Sequence, residues 1–137
     1  MTDDFVDDMV NFINQYAEEF LDTVPARRRS RIRWDPITGT EFRKFVALLL
    51  HMGSVCMPSY RHYWRTDNFF RTFIFRATMT RDRFEAILRF FNFGDKPQFP
   101  GDRLGKVRFL IEHFNRISSS VFVPDQKLSL DESMMLW

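Results

Sequence analysis

Large apolar side chains recur every three or four residues through most of the chain, and this spacing constrains the fold more than any other feature. Phe42, Phe45, Val46, Leu49 and Leu50 form one such set. A period of 3.6 residues places them on one face of an α-helix. The 17 phenylalanines supply bulk for a packed core. The sequence therefore predicts a mainly α-helical protein, an irregular bundle of five or six helices.

Local signals predict where two of these helices begin and end. Thr38 precedes Glu41 by three residues, which is the capping-box pattern, and a helix over about 39–52 is expected to follow. Gly53 is predicted to stop that helix, because glycine adopts the conformations that end helices. Thr80 is predicted to cap another helix that runs from Arg81 to Phe91.

The first helix is predicted from an acidic start and an apolar stripe. It is expected to begin after Thr2 and to end at Val24-Pro25, since proline restricts the residue before it. The stripe packs either on the chain's own core or on a partner helix. Its predicted members are Phe5, Met9, Phe12, Ile13, Tyr16 and Phe20.

Charge is unevenly distributed along the chain, although the net charge is only +2. Residues 1–26 carry seven of the 18 acids and no lysine or arginine, which leaves 20 bases against 11 acids in the rest. A basic body of this kind permits a nucleic-acid partner without requiring one. Five arginines, Arg27, Arg28, Arg29, Arg31 and Arg33, lie within seven residues. They are predicted to contact phosphate or to act as a nuclear address, or else to form a solvated linker.

Several classes of protein are excluded by composition. The single cysteine, Cys56, permits no disulfide framework. The acidic N-terminus is unlike a signal peptide, and the longest apolar run, Phe45 to Leu50, is too short to span a bilayer. We therefore expect a soluble intracellular protein without a membrane or small-molecule partner. His51, His62 and His113 have no partner at metal-ligand spacing.

The C-terminal segment has a different period. Leu128 and Leu130 alternate with polar residues after Pro124, which predicts a short β-strand or hairpin. The strand ends at Asp131, whose carboxylate is a ligand type that Mg²⁺ or Mn²⁺ accepts. Two such ions require several carboxylates, and an ordinary strand-end acid is the alternative. The apolar residues up to Trp137 favour a truncated chain, because exposed apolar strand edges promote association.

The segment from Leu128 to Met135 resembles the first catalytic motif of piggyBac-type transposases, an apolar strand that ends in Asp-Glu. Further segments resemble that family in the same order along the chain. They are Tyr16-Ala17, Trp34-Asp35-Pro36-Ile37-Thr38 with Glu41, His51-Met52-Gly53, Pro58, Tyr63-Trp64, Met79-Thr80-Arg81-Asp82-Arg83-Phe84, Phe90-Phe91-Asn92-Phe93-Gly94-Asp95 and Lys106-Val107-Arg108. Two positions depart from the family pattern: Phe90 replaces the usual histidine, and Phe109, after Arg108, replaces the usual proline.

This resemblance implies that residues 1–124 are a helical dimerisation and DNA-binding domain. Residues 125–137 are then expected to be the first strand of a ribonuclease-H-like catalytic domain. Asp131 would be the first catalytic aspartate and a ligand of Mg²⁺ or Mn²⁺, and the later aspartates would lie beyond residue 137. The family implies a nuclear protein that performs cut-and-paste transposition at TTAA targets. These residues alone are expected to be inactive, as one part of a transposase.

Two further expectations depend on the resemblance. Arg81 and Arg83 lie two residues apart on a helix and point in different directions, so one is expected to contact DNA while the other pairs with Asp82, Glu85 or Glu41. A salt bridge between helices is the alternative for either arginine. The alternative function is that of a domesticated, non-catalytic module that binds DNA or another protein, including a second copy of the chain.

Overall fold

The computed structural model describes residues 2–29, 32–94 and 104–122, and these residues are mainly α-helical. The prediction of a mainly helical protein is thus confirmed. The described ranges contain no β-strand, and the strand predicted within 125–137, with the domain boundary at 124, lies outside them. The helices are α1 (Asp3–Thr23), α2 (Ala26–Arg29), α3 (Gly39–Ser54), α4 (Phe73–Thr78), α5 (Arg81–Phe90) and α6 (Arg108–Val121), with 3₁₀ turns at Tyr60–Trp64 and Gly105–Val107.

The predicted threonine caps are present at both helices. The Thr38 hydroxyl accepts a hydrogen bond from the backbone N–H of Glu41 at 3.3 Å, and Thr80 accepts one from Arg83 at 3.3 Å. Each bond satisfies a backbone donor that the helix cannot pair internally. The predicted stop at Gly53 is wrong, because α3 continues through it to Ser54. No atom approaches the position of a Cβ on Gly53, so no neighbouring group diverts the backbone there.

The core forms where α1 packs on α3 and α5. Val6, Met9, Ile13 and Ala17 are the buried residues of α1. The predicted stripe was therefore partly wrong, since Tyr16 is 42% exposed and Phe20 is 38% exposed. The face that meets α3 and α5 carries the smaller Val6 and Ala17, which allow a close approach of the helices.

Aromatic rings from α3, α4 and α5 fill the rest of the core. The rings of Phe45 and Phe84 lie 5.0 Å apart, and Phe75 lies 4.5 Å from Tyr63 and 5.3 Å from Trp64. The indole N–H of Trp64 donates to the Met79 carbonyl at 2.9 Å, which fixes the start of α5 beside the 3₁₀ turn.

Polar side chains attach the loops to this core. The Asn14 amide donates to the Ile37 carbonyl at 3.1 Å and accepts from the Ile37 N–H at 2.8 Å. The segment before α3 is thereby held on α1. The buried Tyr63 hydroxyl accepts from the Met57 N–H at 3.1 Å and donates to the Val55 carbonyl, which fixes the segment after α3.

Helix α6 contacts α1 through Phe109 and His113. The Phe109 ring lies 5.0 Å from Phe12, and His113 lies 4.3 Å from Phe5. Phe114 and Val121 are 60% and 81% exposed. Among the described helices, none has the length and apolar character needed to cross a membrane.

Candidate nucleic-acid interface

The arginine-rich segment lies on the surface. Arg27, Arg28 and Arg29 form most of the short helix α2 and are exposed, as is Arg33. Arg29 pairs with Asp22 near the end of α1, with 3.2 Å between the charged groups. Arg31 lies outside the described residues. The segment is accessible to a ligand, and its contact with phosphate stays a prediction.

Arg83 is enclosed by four neighbours, Glu41, Trp34 and the carbonyl groups of Asp35 and Pro36. Its Nε and Nη2 donate to the two carboxylate oxygens of Glu41 at 2.6 and 2.7 Å. Its Nη1 donates to the Asp35 carbonyl at 2.7 Å, and the guanidinium carbon lies 5.1 Å from the centre of the Trp34 ring. Arg83 thus links the start of α5 to the start of α3 through a salt bridge with Glu41. For Arg83 the structure therefore shows the interhelical salt bridge, which was the alternative to a DNA contact.

The electrostatics of this pair follow from its geometry. The hydrogen bonds from Arg83 lower the pKa of Glu41 below its ordinary value of 4.5, and partial burial opposes the effect. The hydrogen bond to Glu41 raises the pKa of Arg83 above its ordinary value. The two charges neutralise each other, so the pair adds little net charge with which to attract a ligand.

Arg81 points away from Arg83, as the spacing of the two residues predicts. Its guanidinium lies 3.3 Å from the carboxylate of Asp82 and 3.7 Å from that of Glu85. Half of the Arg81 side chain is exposed. Ion pairs this exposed exchange readily with solvent, so Arg81 stays accessible to a phosphate.

A cleft of about 510 Å³ lies where the start of α3, the end of α4 and the start of α5 meet. Lys44 and Arg76 supply its exposed positive charges, and Thr40 and Thr78 supply hydroxyl groups. Within the described ranges, no acid lies within ion-pair distance of Lys44 or Arg76. We call this the Lys44–Arg76 cleft.

A second cleft, of about 380 Å³, adjoins the first. Arg76 and Thr80 line both clefts, and Arg81 lines the second. The result is a continuous surface on which Lys44, Arg76 and Arg81 follow one another. Anions are attracted to such a surface, and lysine and arginine both bind phosphate oxygens.

Sequence reasoning missed Lys44 and Arg76, the two cations of this cleft. They lie 32 residues apart, and neither belongs to a basic run or to a motif. Each lies beside a phenylalanine of an apolar stripe that indicates a core helix, Phe45 for Lys44 and Phe75 for Arg76. Only the packing of α4 beside α3 brings them to one surface.

The structure offers no metal centre within the described ranges, where no three His, Cys, Asp or Glu side chains are grouped to hold an ion. Asp131, the predicted catalytic and metal-binding residue, lies outside those ranges. The histidines contact aromatic rings: His51 lies 5.4 Å from Phe75, and His62 lies 4.8 Å from Phe70.

Comparison with known proteins agrees with the motifs in the sequence. A family model described as Transposase IS4 matches residues 1–137. The human PiggyBac transposable element-derived protein 3 is 32% identical over 101 residues, which cover 72% of this chain and 17% of that protein. The human Chimeric ERCC6-PGBD3 protein is 32% identical over 101 residues, 72% of this chain and 9% of that protein. The chain thus spans less than a fifth of either relative, and no solved structure matches it. The chain belongs to this transposase family and is piggyBac-like.

Proposed function

We propose that residues 1–124 are the DNA-binding domain of a piggyBac-like transposase or of a protein derived from one. The observation that carries the proposal is the Lys44–Arg76 cleft, whose two exposed cations have no acid within ion-pair distance in the described residues; Glu41, which also lines the cleft, is bound by Arg83. The family of the chain supports DNA as the ligand. A nuclear location follows from the same proposal.

The wider surface carries further basic groups that can bind phosphate. Within the described ranges, no ion pair involves Arg28, Arg33, Lys44, Arg71, Arg76 or Arg89. Lysine and arginine side chains that contact DNA release condensed counterions, and the release drives binding. Six such contacts would make affinity fall about 10³-fold between about 50 and 200 mM salt.

We propose that the 137 residues do not cleave DNA by themselves. Residues 125–137 are proposed to begin a ribonuclease-H-like catalytic domain, with Asp131 as its first catalytic aspartate. A site for two Mg²⁺ or Mn²⁺ ions needs several carboxylates from separate parts of a chain, and this segment brings Asp131 with its neighbour Glu132 and, at its start, Asp125. Cleavage at TTAA targets would belong to a protein that supplies the other aspartates.

Fluorescence anisotropy with a labelled DNA duplex tests the binding proposal. The chain should bind at about 50 mM salt and weaken steeply towards about 200 mM. Failure to bind at the lower salt concentration would reject it. Incubation of a TTAA-containing duplex with Mg²⁺ tests the second proposal, and cleavage that Asp131→Ala abolishes would overturn it.

A second candidate function is self-association through α6. Its apolar side chains Phe114, Ile117 and Val121 lie at helical spacing and are exposed. Exposed apolar stripes of this kind pair well with a second copy of themselves. Light scattering after size-exclusion chromatography should show a dimer that Phe114→Asp dissociates and that Ser119→Asp, a matched change on the same helix, retains. A monomer at all concentrations would reject this candidate.

A further inference from the structure

We propose that Phe69 and Phe73 form an apolar edge that stacks on DNA bases while the Lys44–Arg76 cleft holds a neighbouring phosphate. The inference rests on the proposed function and deepens it, because it assigns a part of the surface to the bases themselves. Phe69 is 94% exposed and Phe73 is 78% exposed.

The position of Phe73 on α4 places it beside the cleft. Ala77 lies four residues further along the helix and therefore on the same face. Ala77 lines the Lys44–Arg76 cleft. Phe75, on the opposite face, is fully buried against Tyr63 and Trp64. The buried side chain anchors α4, and the anchored helix holds Phe73 in solvent at the edge of the cleft.

The contacts of Phe70, the next residue, keep the Phe69 side chain exposed to solvent. Phe70 packs its ring 4.8 Å from the ring of His62 and 5.2 Å from the guanidinium of Arg65. The backbone N–H of Phe70 donates to the Asp67 carboxylate at 3.3 Å. These contacts fix the turn before α4 with Phe70 against the protein, and they leave the neighbouring Phe69 ring accessible.

Cations flank the apolar edge, and this favours DNA over a protein partner. Arg71 lies between the two phenylalanines, and Arg76 lies one turn after Phe73; both are exposed. In the described ranges neither has an acid within ion-pair distance, whereas the nearby Asp67 is paired with Arg65. Aromatic rings among basic side chains bind single-stranded nucleic acid by stacking on bases while the cations bind the backbone, and in a duplex they need a base step that is opened. Exposed phenylalanines also act as wedges at opened base steps.

The exposed apolar surface of α6 lacks this charge pattern. On that helix the Arg116 guanidinium is within hydrogen-bond distance of the His113 ring, at 3.2 Å, and the acidic Glu112 is exposed. Leu50 on α3 is the matched control: it is 71% exposed, against 78% for Phe73, and it belongs neither to α6 nor to the proposed apolar edge.

The test uses the full 137-residue chain and a duplex that contains the fluorescent base 2-aminopurine. Binding of the unsubstituted chain should change the fluorescence of that base. The double variant Phe69→Ala/Phe73→Ala should lose this change and bind about 10-fold more weakly at fixed salt, with the salt dependence retained. Leu50→Ala should behave as the unsubstituted chain does. All variants are checked for an unchanged circular dichroism spectrum and thermal midpoint.

A second pair of variants tests the cleft. Lys44→Gln/Arg76→Gln should reduce the slope of log affinity against log salt by about 2, because two phosphate contacts are lost. Arg116→Gln is the charge control, because Arg116 lies on α6, does not line the cleft and is not among the basic groups assigned to phosphate contact. If the unsubstituted chain does not bind DNA, the proposed function fails. If it binds and the double phenylalanine variant keeps both affinity and base fluorescence, only the further inference fails. An equal loss in Leu50→Ala would also overturn it.

Discussion

Replacing Arg83 with alanine is expected to lower the free energy of unfolding by about 3 kcal/mol. Arg83 makes two hydrogen bonds to the Glu41 carboxylate and one to the Asp35 carbonyl, and it lies over the Trp34 ring. Only 19% of its side chain and 26% of that of Glu41 are exposed. The substitution therefore removes contacts that water replaces only in part.

The magnitude follows from the kind of contact that is lost. A hydrogen bond that involves a charged group contributes about 1.5–3 kcal/mol, and such contributions do not add fully within one network. The stacking of the guanidinium on Trp34 adds about 0.5–1 kcal/mol. The pair keeps some contact with solvent, so the penalty of about 3–5 kcal/mol for breaking a fully buried pair is an upper bound.

Urea unfolding followed by tryptophan fluorescence measures this loss, and Arg81→Ala is the matched control. Arg81 lies two residues away on the same helix, and its ion pairs to Asp82 and Glu85 are exposed. Exposed pairs contribute about 0–1 kcal/mol. If the two variants lose the same stability to within about 0.5 kcal/mol, the Arg83 contacts are not a principal link between α3 and α5.

Three further predictions concern individual contacts. The unsubstituted chain should have a higher free energy of unfolding than Glu41→Gln, with the largest difference above pH 4.5 and a smaller one at lower pH. The reason is that folding lowers the pKa of Glu41, so protonation of its carboxylate at low pH removes the stabilisation. Urea unfolding at several pH values measures the difference. Asn14→Ala should cost about 1–3 kcal/mol in the same assay, because the backbone groups of Ile37 lose both partners. Tyr63→Phe should cost about 1–2 kcal/mol, because the Met57 N–H loses its acceptor; an unchanged midpoint would contradict this.

Features fixed by neighbouring residues were predictable from the sequence. Thr38 and Thr80 were identified as caps because a cap depends on only a few residues that follow it. The rotation of the α1 stripe was not predictable in the same way. Burial of Val6 and Ala17 depends on which face α3 and α5 cover, and several apolar residues of α1 compete for that role.

The candidate site was predicted less well than the fold. Arginines within a run or a motif, such as Arg28 and Arg81, are visible in the sequence. Lys44 and Arg76 lie far apart in the sequence and outside the basic run, and their proximity depends on tertiary packing. The same applies to Phe69 and Phe73, since helical spacing predicts burial for many phenylalanines and cannot distinguish the ones that stay in solvent.

The packing of α1 on α3 and α5 has a consequence for synthesis of the chain. The apolar stripe of α1 leaves the ribosome before α3 and α5, and α5 is complete only at Phe90. At about 5–20 residues per second, translation from Thr23 to Phe90 takes about 3–13 s, and the stripe is without α5 during that time. During that interval it is available to chaperones or to neighbouring nascent chains. Slower translation before residue 90 should therefore lower the yield of folded protein.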